Sequence, residues 1–108
     1  MDDTQAERAA KNEALFRDVN EKIKGLTEAQ ASDWASVLCE CRNPDCTRMI
    51  DITLAEYEAV RARGERFAMI GGHEDPAIER IVDRNERFLV AEKIGPGADI
   101  ARDLDPRS

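Results

Sequence analysis

Aromatic residues are scarce in this 108-residue chain: one Trp, one Tyr and three Phe. A core with so few large rings is modest, and a domain this small buries a limited share of its surface. A structural metal is one remedy for that shortage. Cysteine occurs only three times, at Cys39, Cys41 and Cys46, and histidine once, at His73. The odd cysteine count excludes a fully paired disulfide framework. Cys39 and Cys41, two apart in an extended segment, project in parallel and do not bridge easily. Positive charge is short as well, with a formal net charge of -7. An acidic chain repels phosphate backbones at long range, which disfavours nucleic acid as a partner.

Other absences narrow the reading further. No apolar run reaches the length of a signal peptide h-region or a membrane span, and the opening "MDDTQAERAAKNEA" is polar and acidic. The expectation is a soluble cytoplasmic protein with reduced thiols and no membrane partner. There is no Gly-rich phosphate loop and no Ser/His/Asp set. The "HE" at His73 lacks the second histidine of a metalloprotease helix. No enzymatic activity is expected, and no catalytic residue is assigned.

What is present reads as a small α+β domain. Residues 4–24 predict an amphipathic helix. Ala9, Asn12, Phe16, Val19, Ile23 and Leu26 recur at spacings of three and four, with Gly25 as the stop. This stripe either packs on its own domain or forms a homodimer seam with Asn12 as its polar position. "DWASVLCE" and "TRMIDI" predict two strands around the turn residues "RNPD", with Ile50 and Ile52 on one face. "TLAEYEAVRARG" predicts a helix opened by the capping box Thr53 and Glu56, with Leu54, Tyr57 and Val60 inward. "RFAMIGG" and "RFLVAEK" predict strands. "DPAIERIVDR" predicts a short helix with Asp75 as N-cap and Pro76 at its first position. "GPGADIARDLDPRS" reads as a flexible tail, in which Ile100 and Leu104 offer one turn for docking. The expected organisation is an N-terminal helix over 1–26, a metal-binding α+β domain with a small mixed or antiparallel sheet over 27–94, and a tail over 95–108.

The chemistry concentrates in "CECRNPDC", Cys39 to Cys46, and in "GGHEDP" around His73. Cys39 and Cys41 present both sulfurs to one face of an extended segment. The turn can return Cys46 to that face, and two glycines before His73 permit a sharp bend. Cys39, Cys41, Cys46 and His73 then make a Cys3His set, a closed tetrahedral Zn2+ site stapling a hairpin tip to the His73 loop. The opposing reading is three buried or free thiols beside an ordinary surface histidine. Iron–sulfur clusters want four cysteines, and calcium and magnesium want oxygen. Without His73 as ligand, a water would complete the sphere and Glu74 would lie nearby as a base. The deaminase order of motifs is nevertheless absent.

The run from "NEALFRDVNEKI" through "CECRNPDCTRMIDITLAEYEAVR", "GGHED" and "VAEK" resembles a group of small, uncharacterised bacterial proteins, mainly actinobacterial. The likeness spans residues 12–93. It implies a recurring place for Cys39, Cys41, Cys46 and His73 and nothing about role. The combined expectation is a zinc-stabilised protein-interaction module with a regulatory role, meeting a protein partner or a second copy through its N-terminal helix. Two alternatives stand beside it. One is a nucleic-acid module using Arg61, Arg63 and Arg66 of "RARGER". The other is a redox-sensing zinc–thiolate switch in which Cys46 forms a disulfide with Cys39 or Cys41.

Overall fold

The computed structural model describes residues 3–107. In chain order the elements are α1 (Asp3–Ala29), β1 (Trp34–Leu38), β2 (Met49–Thr53), α2 (Leu54–Arg61), β3 (Arg66–Met69), β4 (Glu79–Arg84), β5 (Leu89–Lys93) and α3 (Pro96–Asp103). The fold is α+β with two small antiparallel sheets. One is β1-β2 and the other has the order β3-β5-β4.

Alternation sets the first sheet. Val37 faces Ile50 and Ala35 faces Ile52, all four buried, while Met49 and Asp51 point outward. Thr53 then starts α2 with both bonds of its capping box in place, Glu56 N to Thr53 Oγ1 at 3.1 Å and Thr53 N to Glu56 Oε1 at 2.9 Å. Tyr57 and Val60 of α2 join Phe67, Met69, Leu89 and Ala91 in the main core, which Cys39 and Cys41 also enter.

The predicted helix over 75–84 does not form. Asp75 and Pro76 open only a turn, in which the Ala77 N–H donates to Asp75 Oδ1 at 2.9 Å. The chain then extends as β4 and pairs with β5. The spacing of Ile78, Ile81 and Val82 fits a helix. Yet Ile81 and Val82 are β-branched, and a hairpin at Asn85 brings β5 alongside. Asn85 Oδ1 accepts from the Arg87 and Phe88 N–H groups, and Asn85 N–H donates to Phe88 O. That local closure decides for strand.

Helix α1 differs from expectation in its end and in its buried face. It runs through Gly25 to Ala29. Its stop is a Schellman motif, with Ser32 N–H on Thr27 O and Ala31 N–H on Glu28 O. The left-handed residue is Ala31, at φ 56°. The buried face carries Ala6, Ala9, Ala10, Glu13, Ala14, Arg17 and Asn20, whereas Val19 and Leu26 of the predicted stripe are exposed. Phe16 and Ile23 are half-buried. Polar residues win the inner face because they meet open backbone there. Asn20 Oδ1 accepts from Leu38 N at 2.7 Å and its Nδ2 donates to Leu38 O at 2.8 Å. Arg17 donates to Gly64 O and to Ala101 O, and its guanidinium lies over the Phe67 ring.

The carboxyl-terminal stretch read as a flexible tail forms α3, packed on α1 and β5. Gly97 permits the close approach. A Cβ there would lie 3.1 Å from Lys93 Cε and 3.6 Å from Ala6 O. Beyond α3, Arg107 ties the chain back to the domain by bonding Glu21 and Glu58.

Under this helix pair lies a cluster of Glu13 from α1, Glu79 from β4 and Lys93 from β5, all with fully buried side chains. Lys93 Nζ is 2.5 Å from Glu13 Oε1 and 3.4 Å from Glu79 Oε2. One cation faces two carboxyls. Burial first, and then repulsion from Glu79, holds Glu13 well above the ordinary carboxyl value of 4.5, with Lys93 opposing. A raised folded-state pKa gives stability that is full below the unfolded value and lost as pH rises through the folded one. Wild-type stability should therefore decline above about pH 4.5, by up to about 1.4 kcal/mol per unit. Glu13→Gln should flatten that decline in urea titrations across pH; parallel curves for the two proteins would show Glu13 already ionised. Separately, Ala31→Gly removes a left-handed alanine and should stabilise the protein by about 1 kcal/mol in the same assay.

Candidate metal centre

Past β1 the chain stays extended. Cys39 N–H donates to Arg48 O at 2.9 Å, and Glu40 N–H donates to Ala68 O at 2.8 Å. Extended geometry sends Cys39 and Cys41 to one side and Glu40 to the other, as the two-residue spacing predicts. Next comes a turn. Asp45 N–H donates to Asn43 Oδ1 at 3.0 Å and Cys46 N–H donates to Asn43 O at 3.1 Å. This brings Cys46 back toward the first two cysteines.

His73 arrives from the end of β3. His73 N–H donates to Ile70 O at 3.0 Å, closing a turn over Gly71 and Gly72. Gly72 takes φ +94°, the left-handed conformation that a second central turn position demands of a glycine. Glu74 braces the loop, its Oε1 accepting from Gly72 N–H at 2.7 Å. That bond gives Glu74 a backbone partner. Arg42 lies 3.2 Å from Asp75 and ties the cysteine loop to the histidine loop.

The four donor atoms of Cys39, Cys41, Cys46 and His73 all lie within 4.8 Å of one another and could hold a metal ion. His73 Nδ1 is 3.5 Å from Cys39 Sγ and 3.6 Å from Cys46 Sγ. Zinc–sulfur and zinc–nitrogen bond lengths at tetrahedral angles put a sulfur and a nitrogen about 3.6 Å apart. The distances from His73 to Cys39 and Cys46 match that spacing. Cys39 and Cys41 are buried; Cys46 and His73 are half-buried and form the outer side.

Backbone amides already point at the sulfurs. Ile70 N–H donates to Cys39 Sγ at 3.2 Å, and the Asn43 amide reaches Cys41. Such bonds orient metal-bound thiolates and spread their charge. Burial pushes the Cys39 and Cys41 thiols above the ordinary cysteine value. The amide bonds oppose this, and the closeness of Cys46 adds to it. Three thiolates this close are unfavourable alone. A divalent cation reverses that balance, because a coordinating thiol gives up its proton.

One residue of the motif escaped sequence reasoning. Glu40, between the two cysteines, is fully buried. Its Oε2 accepts from Asn20 Nδ2 at 2.9 Å and from Tyr57 OH at 2.8 Å, and its Oε1 accepts from Ala68 N–H at 2.9 Å. Strand alternation alone would have aimed it inward. Asn12, the polar position in the dimer-seam alternative, donates to Cys41 O at 3.2 Å and holds the motif from α1, as in the alternative of a helix packed on its own domain.

No family model, curated protein or solved structure matches this chain.

The geometry sets a direct expectation. The reduced protein should take up one equivalent of cobalt(II) and develop the absorption of a tetrahedral thiolate complex. Cys39→Ser should abolish that spectrum, and His73→Ala should alter it while leaving thiolate charge transfer. An unchanged spectrum in His73→Ala would remove the histidine from the ligand set.

Proposed function

We propose that this protein is a zinc-stabilised, cytoplasmic protein-interaction module with a regulatory role, and that the zinc is structural rather than catalytic. The observation carrying the proposal is the donor set itself: three sulfurs and His73 gathered within 4.8 Å of one another, with Nδ1 of His73 at 3.5 and 3.6 Å from two of the sulfurs. Four protein donors fill a zinc sphere, whereas catalytic sites keep one position open. Cys39, Cys41, Cys46 and His73 would hold the ion, and the ion would tie the β1-β2 hairpin to the loop between β3 and β4. Glu74, the nearest candidate base, accepts from Gly72 N–H. That supports a structural role over hydrolysis.

The arginines weigh against a nucleic-acid role. Arg61 has a fully buried side chain bonded to Glu21 and Asp105, and Arg66 is paired with Glu92. Arg63 approaches Glu65 at 3.8 Å. Phosphate contacts would compete with these acids. Among the described residues no helix is long and apolar enough to cross a membrane.

Magnitudes set the test. A structural zinc supplies an apparent 10–16 kcal/mol, roughly the size of a whole small domain's stability of about 5–15 kcal/mol. Purified protein should carry one zinc, and chelation should unfold it cooperatively by circular dichroism. Metal-free protein whose melting ignores chelator would refute the reading.

A redox role is the second reading, favoured by the half-buried position of Cys46 beside Cys41. Hydrogen peroxide would take two electrons from two of the thiolates and two protons from solvent, forming one disulfide and two waters and releasing zinc. Zinc release in step with disulfide formation, reversed by dithiol, would support it; zinc retained under peroxide would exclude it.

A further inference from the structure

The outer face of α1 carries an apolar line that no other described residue covers. Leu15 is 59% exposed, Val19 38% and Leu26 65%. Steps of four and seven residues place them along one side of the helix. Arg8, Lys11 and Lys22 share that side and are exposed. Among the described residues these three make no salt bridge, whereas Lys24, Arg61, Arg87 and Lys93 all do. The charge is also set against the helix's own dipole. Arg8 and Lys11 lie toward its positive end, and its last turn holds no basic residue.

A second copy laid antiparallel answers each of these features. We propose that α1 is the seam of an antiparallel, two-fold symmetric dimer. An axis level with residues 20 and 21 sets Leu15 against the partner's Leu26. Val19 then meets the methylene stem of the partner's Lys22, and Asp18 meets its ammonium. Lys11, level with residue 30 of the partner, reaches the carbonyl end of the partner helix, where cations are favourable. A parallel copy would stack Arg8, Lys11 and Lys22 on themselves. A two-fold interface requires a patch complementary to itself, and the antiparallel arrangement alone makes this one so. The seam runs about 28 Å, from residue 11 to residue 30. Its narrow apolar line belongs to small, concentration-dependent interfaces.

The proposal rests on α1 being the interaction surface of the module, and its test is independent of the metal. Metal-loaded full-length protein is measured by sedimentation equilibrium over a concentration series. Wild type should pass from monomer to dimer, and Leu26→Glu should stay monomeric. Lys22→Asp and Asp18→Lys should each lose the dimer, because each places like charges across the axis. Mixing those two variants in equal amounts should restore it, since both ion pairs then reform between unlike chains. Wild type that remains monomeric overturns the proposal, as does a dimer that survives Leu26→Glu or a mixture that stays monomeric. Helix content and metal content read on the same samples separate a lost seam from a lost fold. All the altered side chains are exposed, so both should be unchanged.

Discussion

Glu40 occupies the side of the cysteine motif that the sulfurs leave free, and much of the architecture is arranged to keep it there. An ionised carboxyl taken out of water is costly unless hydrogen bonds replace the lost solvation. Burial does raise its proton affinity, and the bonds from Asn20, the Ala68 amide and Tyr57 push back, together with the Arg61 charge. Those donors come from α1, β3 and α2. One side chain thus joins three elements at the point where the chain turns its cysteines the other way. Tyr57 answers in kind, its hydroxyl held protonated by burial and by the Glu40 charge. Displacing Glu40 would move Cys39 and Cys41 with it, because the three residues share one extended segment.

The same logic explains an inverted helix. α1 buries alanines, Asn20, Arg17 and Glu13 and leaves leucines outside. Leu38, Cys41, Gly64 and Ala101 all present backbone groups toward it. A leucine face would have left those groups unsatisfied, at a cost comparable to the burial gained. Small residues let the helix come close, and polar ones complete the bonds.

This inversion marks the limit of what could be read from the chain. The capping box at Thr53 and Glu56 was legible because both partners lie within one turn. The strands around Ile50 and Ile52 were legible from alternation. The donor set was legible because it uses every cysteine and the one histidine. The face of α1 was not, since its apolar spacing is real and the deciding contacts sit as far as 84 residues away, as between Arg17 and Ala101. The helix expected at Asp75 lost to a hairpin whose signal, Asn85, lay beyond the window. Glu40 was not legible, because a carboxylate is ordinarily exposed and the partners that bury it, Tyr57, Asn20 and Ala68, lie 17, 20 and 28 residues away.

The spacing of the donors also has a consequence for the order of assembly. Cys39, Cys41 and Cys46 lie within eight consecutive residues, whereas His73 comes 27 positions after the last of them. Closing the short loop costs little chain entropy, and the cost grows only slowly with the longer one. What delays the histidine is its dependence on β3 being in place. If the four residues hold an ion, a chain emerging in sequence would offer it the three sulfurs first and the imidazole only once β3 is in place. Ligand exchange would then be fast before that moment and slow after it, and the last donor in sequence would act as the latch on metal residence time.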